Sequence, residues 1–176
     1  IRGKAAKIVG CNRGRIQLVH HGIDIKFVQH DLVPAPVNAG DVIEVSWSKL
    51  KSHPIHEAAH NGNLEAVKRW LSYGIKVDIA SPYGTTPLMF AAHHGSRDVA
   101  LELLHRGANP NVKNVDLDTP LHWAALMGSL QCVELLISLG VDIHARNVKG
   151  LTPLDSARSR QRSEVALQLA IHTGCE

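Results

Sequence analysis

Residues 53–176 carry apolar residues at helical spacing, in short segments that recur at a constant interval along the chain. In one copy Leu88 and Ala91 fall on one face of a helix, and Val99 and Leu103 fall on one face of the next. Polar and turn-forming residues separate the segments. The pattern predicts a pair of short helices in each unit, with small alanines that let neighbouring helices approach closely.

Each unit also carries residues that are typical of helix ends. Thr86 is predicted to be an N-cap whose hydroxyl accepts a free backbone N–H, and Pro87 suits the first helical position because it has no N–H to lose. Gly95 is predicted to end the first helix at positive φ. The second helix is predicted from about residue 98 to residue 105, with Gly107 after its end.

Four copies of the unit lie in register at a constant spacing. Their first helices read HPIHEAAHNG from residue 53, TPLMFAAHHG from 86, TPLHWAALMG from 119 and TPLDSARSRQ from 152. These motifs closely resemble the ankyrin-repeat family over about residues 51–176. The resemblance implies an all-α solenoid, since one repeat alone cannot bury its apolar face. Its four repeats are predicted at about 53–85, 86–118, 119–151 and, shortened, 152–176.

The histidine of TPLH is a structural residue in this family, so the resemblance implies that His56 and His122 form hydrogen bonds within and between repeats. Met89 and Asp155 stand at the same position in the other two copies. The adjacent histidines at 93–94 point in different directions on a helix and have no acid or Cys at ligand spacing. We therefore predict no metal site and no catalytic residue in the repeats.

The resemblance also implies that the residue after this histidine faces the concave side of the solenoid, together with the loop tips. Phe90 and Trp123 hold that position in the middle repeats. Trp and Tyr are favoured anchors of interfaces, so we predict a partner-binding surface on this side. Its apolar members are Tyr83, Phe90, Trp123, Leu126 and Met127, and the polar members that set specificity are Asp116, His93 and Asn61. The alternative is that Phe90 and Trp123 pack internally, against adjacent turns or the N-terminal segment.

Two turns depart from the repeat pattern. Leu117 stands where Gly84 and Gly150 stand in the other loops, so this turn either avoids positive φ or carries strain. Gln161 replaces the glycine between the paired helices of the last repeat. The helix–helix turn at that position is therefore the least predictable of the four.

Residues 1–49 show a different pattern, with short β-type runs separated by Gly, Asn and Pro. Four or five such strands predict a small β-barrel, OB-like or alternatively SH3-like, ahead of a repeat domain at 50–176. The predicted class is thus α+β and multidomain. The layout is similar to a cold-shock or S1-type OB domain, but the stacking aromatics of that family are absent. Lys7, Arg15 and Lys26 stand at such positions, where they contact nucleic-acid phosphates or form a solvated polar face.

Charge and composition narrow the function classes. The net charge of +3 arises within residues 1–50, which hold seven basic and four acidic side chains. No P-loop, GxGxxG unit, HExxH or GxSxG motif occurs, so we predict no enzyme and no cofactor. No apolar run approaches the roughly 18 residues of a membrane span. Three widely spaced cysteines favour a reducing compartment, cytoplasmic or nuclear, and Cys132 is expected to be a small buried hydrophobe.

These observations predict a non-enzymatic interaction module or adaptor, monomeric on its own. It is expected to bind a protein or peptide on the concave face of the repeats, with no membrane contact. The alternative is a nucleic-acid adaptor, in which the basic N-terminal barrel binds RNA or DNA while the repeats recruit a protein.

Overall fold

The structure is a computed structural model that describes residues 7–12, 15–20, 23–26 and 53–174. The chain divides into two compact units, Ile1–Lys51 and Ser52–Glu176.

Three strands are described in the first unit. They are β1 (Lys7–Asn12), β2 (Arg15–His20) and β3 (Ile23–Lys26). The strands form one antiparallel sheet in the order β1-β2-β3, and the β1–β2 register shifts between Ile8 and Cys11.

The predicted α+β class with an OB-like or SH3-like N-terminal barrel is wrong for the described part of the chain. There, β1 and β3 pair only with β2, so the sheet is an open meander. A barrel closes only when the two edge strands of a sheet also find partners. The pattern of β-type runs predicted strands correctly at these positions, but strand propensity carries no information on closure. The further strands predicted after residue 26 lie outside the described residues.

The second unit is all-helical over residues 53–174 and contains four helix pairs. The first helices of the pairs are α1 (Pro54–His60), α3 (Pro87–His94), α5 (Pro120–Met127) and α7 (Pro153–Ser159). The second helices are α2 (Leu64–Ser72), α4 (Arg97–His105), α6 (Leu130–Ser138) and α8 (Ser163–Thr173). First helices pack on first helices and second helices on second helices, so the pairs stack side by side. The solenoid part of the predicted fold is therefore confirmed.

The first helices begin at a capping residue followed by proline. Thr119 and Thr152 each cap their helix through the side-chain oxygen. The side chain three positions later accepts a hydrogen bond from the backbone N–H of the capping residue. Thr86 has the same extended backbone at the same position, but its side chain makes no capping bond. The predicted N-cap is thus correct in position, whereas the predicted hydroxyl bond is wrong.

The core lies between the stacked helix pairs, in two clusters. Leu88, Val99 and Leu103 belong to the first cluster, and all are fully buried or nearly so. Leu121 and Leu136 belong to the second. Alanines in the middle of the first helices are also fully buried, which allows the close helix approach that the pattern predicted.

Two turns keep their conformation without glycine. Gly95 ends α3 in the left-handed region, as predicted. Gln161 stands at the corresponding place in the last repeat and adopts φ 57°, so the turn between α7 and α8 is retained. Leu117 adopts φ 58°, so its turn carries strain rather than avoiding positive φ.

Candidate functional site

The two TPLH-type histidines are held inside the repeat array by hydrogen bonds at both ring nitrogens. Nδ1 of His122 accepts from the backbone N–H of Thr119 at 3.2 Å, and Nε2 lies 3.0 Å from the carbonyl oxygen of Leu151, in the loop that leads to α7. His56 has the same arrangement, with Nε2 2.7 Å from the carbonyl oxygen of Ile79. Nε2 must donate to a carbonyl, so this network assigns the proton of the neutral ring to Nε2. The bonds within repeats that the resemblance implied are therefore present, and each joins a first helix to the loop that follows the helix pair.

Burial favours the neutral form of both histidines. Desolvation lowers the pKa of His122 below its ordinary value, and the bond to the Leu151 carbonyl partly opposes this shift. The pKa of His56 is lowered for the same reason, against a bond to the Ile79 carbonyl. Both rings are almost fully buried. They hold each first helix to the loop that leads to the next repeat and are not presented to a substrate.

A cluster of four rings lies along the first helices of three successive repeats. We call it the ring cluster, and its members are His60, Phe90, His93 and Trp123. Phe90 and Trp123 meet edge to face, with ring centroids 6.1 Å apart. The ring centroid of His93 lies 5.3 Å from that of His60 and 5.3 Å from that of Trp123. The pKa of His93 is lowered mainly by burial, and further by the charges of the neighbouring His60 and His94.

Phe90 and Trp123 belong partly to the core and partly to the surface. Each is half-buried and packs against one of the two core clusters. The internal-packing alternative therefore accounts for part of each ring, and the remainder is open to solvent. Nε1 of Trp123 is buried and has no hydrogen-bond partner among the described residues. A buried indole N–H without an acceptor costs free energy, so this ring is not optimised for stability alone.

The other predicted contact residues flank the ring cluster on helix ends and loop tips. Tyr83 is 67% exposed at a loop tip, and Met127 is 37% exposed at the end of α5. Leu126 is half-buried, and Asp116 and Asn61 are exposed. Asn61 is also the C-cap of α1. All eight predicted contact residues lie on first helices, their caps or the loop tips, but the four rings alone form a continuous contact series.

The loops between repeats are joined to one another by backbone hydrogen bonds. The N–H of Val115 donates to the carbonyl of Tyr83 at 3.0 Å, and the N–H of Val148 donates to the carbonyl of Asp116 at 2.9 Å. Together these bonds fix the spacing of the loop tips.

Sequence reasoning missed the residues that fix each loop. The side-chain oxygen of Asn114 accepts from the backbone of Asp116 and Asp118, and Asn147 repeats this arrangement one unit later. Ser81 plays the same part in the first loop. The signal was present in the sequence, because these three polar residues stand at equivalent positions of successive repeats.

Two surface cavities adjoin the ring cluster. One, of about 380 Å³, is lined by His93, His94 and Met127 together with the turn that leads into α6. The other, of about 200 Å³, is lined by Trp123 and also by Lys149 and Arg160. Sequence reasoning did not select these two cations, because they come from different elements of the repeats.

The three basic residues predicted for nucleic-acid contact lie on the strands of the first unit. Lys7 pairs with Val19, Lys26 with Gln17 and Arg15 with Asn12.

Within residues 53–174, no group of three or more His, Cys, Asp or Glu side chains is arranged to hold a metal ion. Cys132 is fully buried with a free thiol, as predicted, and desolvation raises its pKa. Among the helices that the structure describes, none has the length and apolar content needed to cross a membrane.

Stacked helix pairs at a fixed sequence period, tied by buried histidines and bonded loops, define a helical-repeat solenoid. A family model for ankyrin repeats in three copies matches residues 17–114, and a single ankyrin-repeat model matches residues 116–148. The chain belongs to the ankyrin-repeat family, so the predicted resemblance is confirmed. The first match begins at residue 17, inside the segment for which an OB-like domain was predicted. A search of curated proteins found no match.

Proposed function

We propose that the protein is a non-enzymatic binding module whose ring cluster, with Tyr83, Leu126 and Met127 beside it, holds a protein or peptide segment. Ankyrin repeats are generally protein–protein interaction modules and are typically not enzymes, which supports the class of function. The choice of this face rests on the pair Phe90 and Trp123, which stay partly open to solvent although they contact one another edge to face. Half-buried aromatic side chains in a preformed array bind with little loss of side-chain entropy.

The polar residues around the rings supply the specificity in this proposal. Asp116 and Asn61 are exposed, and His93 is held between two other rings. We further propose that the module acts as a monomer in the cytoplasm or nucleus, where a reduced Cys132 is stable.

The experiment is a peptide selection with a matched pair of variants. A displayed library of random twelve-residue peptides is enriched on the full chain, and the affinity of the enriched peptides is measured for wild type, Trp123→Ala and Leu167→Ala. Leu167 is an apolar residue of α8, 65% exposed and outside the ring cluster. The proposal expects Trp123→Ala to weaken binding at least about tenfold, as removal of an interface anchor does, and Leu167→Ala to leave it unchanged. Equal binding to all three proteins would contradict the proposal.

Nucleic-acid contact by Lys7, Arg15 and Lys26 is the alternative proposal. It rests on charge alone, because the described strands that carry these residues form an open sheet and not a barrel. Phosphate contacts make affinity fall steeply with salt. Binding of a single-stranded oligonucleotide that weakens with salt, and is lost when the three residues are changed to Gln, would support this alternative.

A further inference from the structure

The smaller cavity beside Trp123 has the size of one side chain. Its volume is about 200 Å³, below the roughly 300–1,000 Å³ of sites that enclose a whole small ligand. Its lining includes an apolar wall, formed by Trp123 and Leu126, and the cations Lys149 and Arg160. An apolar residue of a bound segment that packs on Trp123 would therefore place the next side chain near two cations.

The two cations are not neutralised within the described part of the chain. The ion pairs found there are Lys68 with Glu65 and Arg106 with Glu102, and neither involves Lys149 or Arg160. Lys149 is exposed on the loop that Asn147 fixes, and Arg160 is the exposed C-cap of α7. Both cations are thus positioned by the fold through their backbone, and their charged groups remain available.

One carboxylate also lines the cavity, and it is already engaged. Oδ1 of Asp118 accepts a hydrogen bond of 2.8 Å from the side-chain amide of Asn147. Nearby, Arg162 lies across Gly128, with Nε 3.5 Å from the carbonyl oxygen of Leu126. The lining of the cavity therefore holds two cations, Lys149 and Arg160, against one bonded carboxylate, and their field favours an anion.

We propose that this cavity binds the carboxylate of an Asp or Glu in the partner segment, next to the apolar residue that contacts Trp123. The inference rests on the proposed function, because it specifies the chemistry of the segment held by the ring cluster. Lys149 and Arg160 would form charge-assisted hydrogen bonds with the carboxylate oxygens. The confined volume and the apolar wall favour one acidic side chain over a nucleic-acid backbone, which needs a longer track of cations.

The test uses the full chain and the peptide library described above. Among peptides whose binding requires Trp123, the proposal expects an Asp or Glu enriched at a fixed distance from an apolar residue. The best peptide and its Asp→Asn or Glu→Gln counterpart are then synthesised and titrated against three proteins. These are wild type, Lys149→Gln/Arg160→Gln and Lys76→Gln/Arg97→Gln; the last makes the same charge change at exposed positions outside the cavity.

The proposal expects the acidic peptide to bind Lys149→Gln/Arg160→Gln about three- to tenfold more weakly than wild type, as partly exposed charge pairs warrant. The control variant should bind like wild type. The Asn or Gln counterpart of the peptide should bind wild type more weakly than the acidic peptide does, by a similar factor. Its affinity should fall little further when Lys149 and Arg160 are both changed to Gln.

Three outcomes would overturn the inference, and they are distinguishable. If Trp123-dependent peptides show no acidic preference, the carboxylate pocket is wrong while the proposed function stands. If peptide binding is indifferent to Trp123→Ala, the proposed function fails as well. If a twenty-nucleotide oligothymidylate displaces the acidic peptide and its own binding needs Lys149 and Arg160, the cavity serves a nucleic acid instead.

Discussion

The hydroxyl oxygen of Thr119 lies 2.9 Å from Nδ1 of His122 and completes the cap of α5. The corresponding hydroxyl of Thr86 is buried and has no hydrogen-bond partner among the described residues, and Met89 stands where the histidine would be. Its thioether cannot take part in the paired bonds of the capping box. The same position in successive repeats thus gives a satisfied cap and an unsatisfied one.

Thr86→Val and Thr119→Val should therefore change the free energy of unfolding in different directions. Thr86→Val removes an unpaired buried hydroxyl at nearly constant shape, so we expect the free energy of unfolding to stay level or to rise by up to about 1 kcal/mol. Thr119→Val removes a working cap and should lower it by about 1 kcal/mol. Urea unfolding of both variants checks this pair. A loss of equal size in the two variants would show that Thr86 has a partner after all.

The left-handed turn at Leu117 gives a second prediction. Its backbone is at φ 58° and its side chain is 43% exposed, so little packing is lost on substitution. The left-handed region costs about 1–2 kcal/mol for a non-glycine residue. Glycine avoids this cost but loses more conformational entropy on folding, which offsets about 0.5–1 kcal/mol of the gain. Leu117→Gly should therefore raise the free energy of unfolding by about 0.5–1 kcal/mol, measured by urea unfolding.

Gly150 provides the matched control for that prediction. It stands one repeat later at φ 74°, and a Cβ added there would meet nothing within 4 Å. Gly150→Leu should be destabilising through backbone conformation alone, by about 0.5–1 kcal/mol. Stabilisation by Gly150→Leu, or destabilisation by Leu117→Gly, would mean that side-chain contacts outweigh the backbone at these tips.

The repeat array was predictable because the same capping and apolar residues recur at equivalent positions of successive repeats. Evenly spaced Thr-Pro pairs specify where the first helices begin, and they place Phe90 beside Trp123 on neighbouring helices. The period could not show that Thr86 lacks its capping bond, since Met89 departs from the residue types that complete this cap in the other repeats. The cations Lys149 and Arg160 were missed because their proximity to Trp123 depends on how a loop tip and a helix end pack together.

The N-terminal segment was mispredicted for a different physical reason. Runs such as Arg15–His20 have strand composition and do form strands. Which strands pair, and whether the sheet closes, depends on contacts between distant residues that alternation does not encode. A weak similarity to an OB layout supplied a closed topology that the described strands do not have.

The buried histidines predict a loss of stability in mild acid. The pKa of His56 and of His122 is lower in the folded protein than its ordinary value of 6.5, which applies to the unfolded chain. The unfolded state then binds more protons, so the free energy of unfolding is highest above pH 6.5 and falls as the pH drops below it toward the folded pKa values. Urea unfolding at several pH values from 8 to 5 measures this fall.

His122→Gln assigns part of that pH dependence to one ring. The variant should be less stable than wild type at pH 8, because the bond to the Leu151 carbonyl is disturbed, but it should lose less stability on acidification. Asp155 affects stability at a lower pH. Hydrogen bonds from Thr152 lower the pKa of this carboxyl below its ordinary value of 3.8, so its contribution to the free energy of unfolding is lost only near and below that pH. An unchanged acid slope in His122→Gln would contradict the assignment to this histidine.

The unpaired N–H of Trp123 separates the roles of this ring in folding and in binding. Trp123→Phe removes the N–H but keeps an aromatic ring against Phe90, so we expect the free energy of unfolding to change by less than about 1 kcal/mol. Trp123→Ala removes the half-buried ring and should cost about 1–3 kcal/mol, less than truncation of a fully buried aromatic. Urea unfolding gives both values. Peptide affinity should fall strongly in Trp123→Ala and only modestly in Trp123→Phe, since ring contact carries the interaction. A large destabilisation by Trp123→Phe would mean that its N–H is bonded in solution, and the ring would then serve the fold more than the partner.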